Sequence, residues 1–101
     1  MARVDDQLGL WECEKVSGMI SRERGNHEEA EGQLRAAATG FSSVSNPLGE
    51  AESQYELALL YERIGRITEA KAEVLSAKAA FVELSAALDI IRCEELAARL
   101  G

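Results

Sequence analysis

Few residues in this chain of 101 carry reactive side chains: one histidine, His27, and two cysteines, Cys13 and Cys93. Metalloprotease chemistry needs two imidazoles on one helix face, as in H-E-x-x-H. The stretch "HEEAE" that begins at His27 opens that way, but alanine and glutamate follow where the second histidine must stand. A cysteine nucleophile needs a base beside it, and His27 lies a helix length from Cys13. The pairs Glu28–Glu29 and Glu94–Glu95 sit on neighbouring positions, which point apart on a helix and form no shared acid–base carboxylates. Neither G-x-G-x-x-G nor G-x-x-x-x-G-K-[ST] occurs, so no phosphate loop is expected. These residues point away from an enzyme, a metal site or a cofactor.

Composition narrows the alternatives further. The formal net charge is −7, and 29% of residues are charged against 47% hydrophobic. Backbone contacts to nucleic acid need clustered Lys and Arg, and anionic membrane surfaces attract basic segments, so neither partner is expected. No apolar run approaches the ~20 residues of a membrane span, and "MARVDDQLGL" has no signal-peptide core. A cytoplasmic location follows as the expectation. Cys13 and Cys93 stand eighty residues apart, too far in a stacked repeat for a bridge, whose Cα atoms lie within about 7 Å. Two free, half-buried thiols are expected.

The elements that would position any site emerge from an internal repeat. Residues 6–45 align with 46–85 at Leu8/Leu48, Gly9/Gly49, Glu12/Glu52, Gly25/Gly65, Glu29/Glu69, Ala30/Ala70, Ala37/Ala77, Phe41/Phe81 and Ser45/Ser85. A truncated third copy, 86–101, continues the series through Leu88, Ala98 and Leu100, which follow Leu48, Ala58 and Leu60. Each forty-residue period reads as two helices. Leu57, Leu60, Tyr61 and Ile64 form an i, i+3, i+4, i+7 stripe; Ala70, Val74, Ala77 and Phe81 form a second. Between them Gly65, like Gly25, ends a helix in the left-handed conformation that costs glycine no Cβ clash.

Asn26 and Thr68 are candidate N-caps; Asn46 followed by Pro47 is another, at the join between periods. The second join holds only Ser85. A break there keeps the period, and a continuous helix from about 68 to 99 is the alternative. The spacing predicts one domain with helices at about 5–23, 27–42, 47–63, 67–83 and 86–99, and no strands.

The second copy resembles the tetratricopeptide repeat family at Leu57, Ala58, Tyr61, Gly65, Ala70, Val74 and Ala77. The first copy matches at Gly18, Gly25, Ala30, Leu34 and Ala37, and departs at Ser17 and Ser21. The third offers Ala97 and Ala98. A forty-residue period ending in "FVEL" is similar to the long-repeat variety of bacterial signalling and regulatory proteins. The resemblance implies an all-α fold, a right-handed superhelical stack of antiparallel helix hairpins, with about two and a half repeats.

It also implies a concave face lined by the first helix of each repeat. That face carries Glu12, Lys15, Met19 and Arg22, then Glu52, Tyr55, Leu59, Glu62 and Arg63, then Arg92, Glu95 and Arg99. The last three fall on one narrow face at i, i+3, i+7 spacing. An apolar middle flanked by charges suits an extended or helical peptide. The family's carboxylate-tail clamp is not matched, because Met19, Glu52 and Glu56 stand where donors are needed.

The terminal helix is apolar on two sides. Ile90, Cys93, Leu96, Ala97 and Leu100 form one sector; Ile91 and Ala98 form another. One sector can meet the preceding hairpin, while the other lacks a neighbour. Two functions follow: a peptide-binding scaffold, and a self-assembly element that makes a homodimer through Ile90, Ile91, Leu96 and Leu100.

Overall fold

Every twenty residues the backbone turns through a left-handed residue: Gly25 (φ 81°), Ser45 (φ 55°), Gly65 (φ 80°) and Ser85 (φ 57°). The computed structural model describes residues 4–101, with side chains from residue 7 onward; the first three residues of the domain read from the sequence lie outside it. These turns separate five helices: α1 (Val4–Glu23), α2 (His27–Ser43), α3 (Pro47–Arg63), α4 (Ile67–Glu83) and α5 (Ala87–Leu100). No strand occurs among the described residues.

All four turns close alike. The N–H after each left-handed residue donates to the carbonyl five positions back: Asn26 to Ser21 at 2.9 Å, Asn46 to Phe41 at 2.9 Å, Arg66 to Tyr61 at 2.8 Å and Ala86 to Phe81 at 2.9 Å. This bond satisfies a carbonyl that the helix end would leave unpaired. The backbone therefore repeats every twenty residues, although the sequence repeats every forty. Ser85 settles the second join: α4 and α5 are separate helices, and no continuous helix runs from 68 to 99.

Capping is less uniform than the spacing predicts. The Asn46 side chain accepts from the Gly49 N–H at 3.0 Å, with Pro47 at the first helical position. Asn26 occupies its N-cap without a side-chain bond. Thr68 lies inside α4; the cap position belongs to Arg66, whose guanidinium turns instead to Glu69. Backbone bonds already define these turns, so the side-chain cap is dispensable there.

Three-residue turns fold each helix back along its predecessor, and every helix packs against the next. Helices α1, α3 and α5 lie side by side in one layer, with α2 and α4 behind them. Between the layers lie Ala30, Leu34, Ala37 and Phe41 of α2; Ala51, Leu57, Ala58, Leu60 and Tyr61 of α3; and Ala70, Val74, Ala77 and Phe81 of α4. Cys93, Leu96 and Leu100 of α5 complete this core.

Close crossing of α1 and α2 depends on Gly18, where an added Cβ would stand 2.6 Å from Leu34 Cγ. The equivalent place in the next copy holds Ala58, and Val74, equivalent to Leu34, is one carbon smaller. Both cysteines are free, but they are not equally half-buried: Cys13 is exposed and Cys93 is buried. They occupy one repeat position on different helices. Among the described residues α5 has an earlier helix to cover that position and α1 has none.

Candidate functional site

Residues predicted for partner binding come together along the α1–α3–α5 layer. The central hollow, about 190 Å³, is lined by Lys15, Met19, Glu52, Tyr55, Glu56, Phe81, Asp89 and Arg92. A second, of about 300 Å³, lies beside it between Arg22, Glu23, Leu59, Glu62 and Arg63. The first is below the ~300 Å³ at which small-molecule sites begin, and has the scale of one partner side chain. Met19, Tyr55 and Leu59 are half-buried, packed against the core with their outer surfaces open.

The charges around this floor are largely engaged with one another. Lys15 reaches Glu12 at 2.9 Å and, across to α3, Glu52 at 3.0 Å. Burial pulls the Lys15 ammonium down, but its bonds to Glu12 and Glu52 outweigh that and hold it above its ordinary value. Arg22 is buried and donates to the Glu56 carboxylate at 2.7 Å and the Glu56 carbonyl at 3.2 Å. Arg63 returns the link, donating to the Arg22 carbonyl at 3.0 Å and pairing with Glu23 at 2.8 Å. Arg99 grips Glu62 with a two-pronged contact, 2.9 and 3.0 Å, and that bond holds the Glu62 carboxyl below its usual range.

Lys15 and Arg22 thus stitch helix to helix. The reason is geometric: side-by-side helices with a forty-residue period bring together side chains 37 positions apart, as in Lys15–Glu52 and Arg99–Glu62. Arg92 stays open, 3.9 Å from Asp89. Glu95 is exposed and has no ion pair among the described residues. Glu56, Asp89 and Phe81 are lining residues that the sequence reading did not assign to the surface. Arg22 and Glu56, opposite charges 34 positions apart, carry part of that signal; for Phe81, which reaches through from α4, the sequence carries none.

The self-assembly residues are distributed differently. Leu96 and Leu100 are buried and Ile90 is half-buried in the intramolecular core, leaving Ile91 open at 49% exposure. A helix that has already packed one face cannot offer that face to another chain.

A second polar cluster lies at the back of the molecule. Tyr61 is fully buried, donates its hydroxyl to Glu31 and accepts from Arg35. The Arg66 guanidinium lies 4.7 Å above its ring. Burial and the Glu31 bond push the Tyr61 hydroxyl up to about 12. Among the described residues no buried side-chain polar atom lacks a partner, and this cluster ties α2, α3 and α4 together. No three His, Cys, Asp or Glu side chains among those residues gather to hold a metal ion. No described helix is long and apolar enough to cross a membrane.

No protein-family model, curated protein or solved structure matches the chain. What it does has to be read from its own surfaces.

Proposed function

We propose that this chain is a non-catalytic protein-interaction module, a right-handed superhelical stack of the tetratricopeptide type that holds a partner peptide along α1, α3 and α5. One observation carries the reading. Met19, Tyr55 and Leu59 form a half-open apolar floor beside hollows of about 190 and 300 Å³, framed by charges already fixed by their neighbours. Prepaired charges lose little freedom when a partner arrives, so the frame is preorganised. Affinity then comes from side chains seated against Tyr55 and Leu59, while Arg92 and Glu95 offer exposed charges at the rim. An extended or helical segment of a protein fits this surface, and a larger regulatory protein is the natural setting for it.

The test is a peptide selection from a random display library on the folded chain, followed by titration of the best binders. Tyr55→Ala with Leu59→Ala is expected to weaken binding by roughly 30-fold, the ~2 kcal/mol of a central anchor, with helicity retained. Selection of no binder, or binding indifferent to both substitutions, contradicts the reading.

A second reading, self-assembly, is favoured by a different observation. Leu75, Val82, Leu84, Leu88 and Ile91 are all exposed around α4 and α5. A dimer closed through that end would lose its mass in light scattering when Ile91→Glu and Leu88→Glu are combined. Monomeric mass across a tenfold concentration range would remove this reading and leave the groove intact.

A further inference from the structure

Inside this one chain, the repeat shows what a given helix face is built to touch. On α5 the face that packs on α4 consists of Ile90, Cys93, Leu96 and Leu100; the last three are buried and Ile90 is half-buried. Eighty residues earlier, the same repeat positions on α1 hold Leu10, Cys13, Val16 and Ile20. There they are open: Leu10 is 55% exposed, Val16 43%, Ile20 46%, and Cys13 is exposed with them. On α3 the equivalent Ser53 and Leu60 are again buried. The other two equivalent positions on α3 hold Glu50 and Glu56, both half-buried, so with an earlier helix behind it every position of this face is buried or half-buried, and α1 has no earlier helix among the described residues.

Charge agrees with this register. Glu94 of α5 lies 3.6 Å from Lys78 of α4, across that contact. The α1 residue equivalent to Glu94 is Glu14, with the same charge and no ion pair among the described residues. In the middle copy the equivalent pair is Gln54 and Ala38, neutral on both sides. Acid is thus matched by base, and neutral by neutral.

We propose that the outward face of α1 is a second docking site, and that its occupant is an amphipathic helix of the α4 type from a partner protein. Such a helix carries the apolar pattern of Ala70, Val74, Ala77 and Phe81, with a basic residue placed as Lys78 is, facing Glu14. It seats on Leu10, Cys13, Val16 and Ile20, and its end covers the hollow of about 450 Å³ around Val16, Met19 and Ile20. Leu10, Cys13 and Ile20 lie away from Lys15 on α1, while the hollow at the end of this site shares Met19, Arg22 and Glu23 with the groove, so the two sites adjoin.

The probe is a synthetic peptide of residues 66–84, added to the full chain while Cys13 alkylation is followed by mass spectrometry. Saturable slowing of Cys13 modification is expected. Val16→Glu or Ile20→Glu, both at exposed positions, should weaken the protection at least about tenfold, since a buried charge replaces apolar contact. Glu14→Lys should weaken it about twofold to fivefold, the worth of an exposed ion pair, and a peptide carrying Lys78→Glu should restore it. Ile91→Glu should leave it unchanged. Absence of protection, protection indifferent to Val16→Glu, or protection lost with Ile91→Glu would overturn the proposal.

Discussion

Gly18 and Leu34 share one crossing, and the repeat shows the volume they exchange. Gly18→Ala places a methyl 2.6 Å from Leu34 Cγ and is expected to cost about 1–3 kcal/mol as an overpacked core. Adding Leu34→Val should recover much of that loss, because the pair then becomes the Ala58 and Val74 of the next copy. Urea unfolding of the two single variants and the double variant measures this coupling; strict additivity would contradict it. Tyr61 offers a second check at this scale. Its hydroxyl is held at about 12, so absorbance titration at 295 nm should show it protonated well above the usual 10. A raised value in the fold means that its contribution is whole below the unfolded value and lost as pH climbs through the folded one.

At the scale of elements the left-handed residue decides where each helix stops. Ser85 holds φ 57° without glycine's freedom, at a cost of roughly 1–2 kcal/mol. Ser85→Gly relieves that strain and adds about 0.5–1 kcal/mol of unfolded-state entropy against it. A net gain of up to ~1.5 kcal/mol is expected, seen as a melting temperature raised by a few degrees; a lowered one would contradict the assignment. Helix number and boundaries were legible within a residue or so because the apolar stripes and Gly25 and Gly65 mark them directly. The twenty-residue turn spacing was only half legible, since two of its four markers are serines. Met19, Tyr55 and Leu59 were assigned to the surface because the tetratricopeptide resemblance implies that the first helix of each repeat lines one face. That Lys15 and Arg22 would be engaged by Glu52 and Glu56 was not, since repeat alignment matches residues at forty positions while the contacts fall at 37 and 34. Burial of Leu96 and Leu100 was equally hidden: a two-sided helix does not announce which side its own chain will cover.

For the whole molecule, the ladder from Lys15 through Arg22 and Arg63 to Arg99 links three helices that otherwise touch each other sparingly. Glu62 and Glu31 are held below their ordinary 4.5, Glu62 mainly by Arg99 and Glu31 mainly by Tyr61. Carboxyls depressed in this way contribute stability that is whole above the unfolded value and lost as pH falls through the folded one. Urea midpoints are therefore expected to be flat near neutrality and to decline below about pH 4.5, and Arg99→Met should shallow that decline. An unchanged acid limb in this variant would remove Arg99 and Glu62 from the account. The most direct measurement of the central claim is NMR shift mapping with the tightest selected peptide. Peptide binding through α1, α3 and α5 predicts perturbations clustered at Met19, Glu52, Tyr55, Leu59 and Arg92. Perturbations confined to the α2 and α4 surface, or a spectrum that does not change, would contradict it.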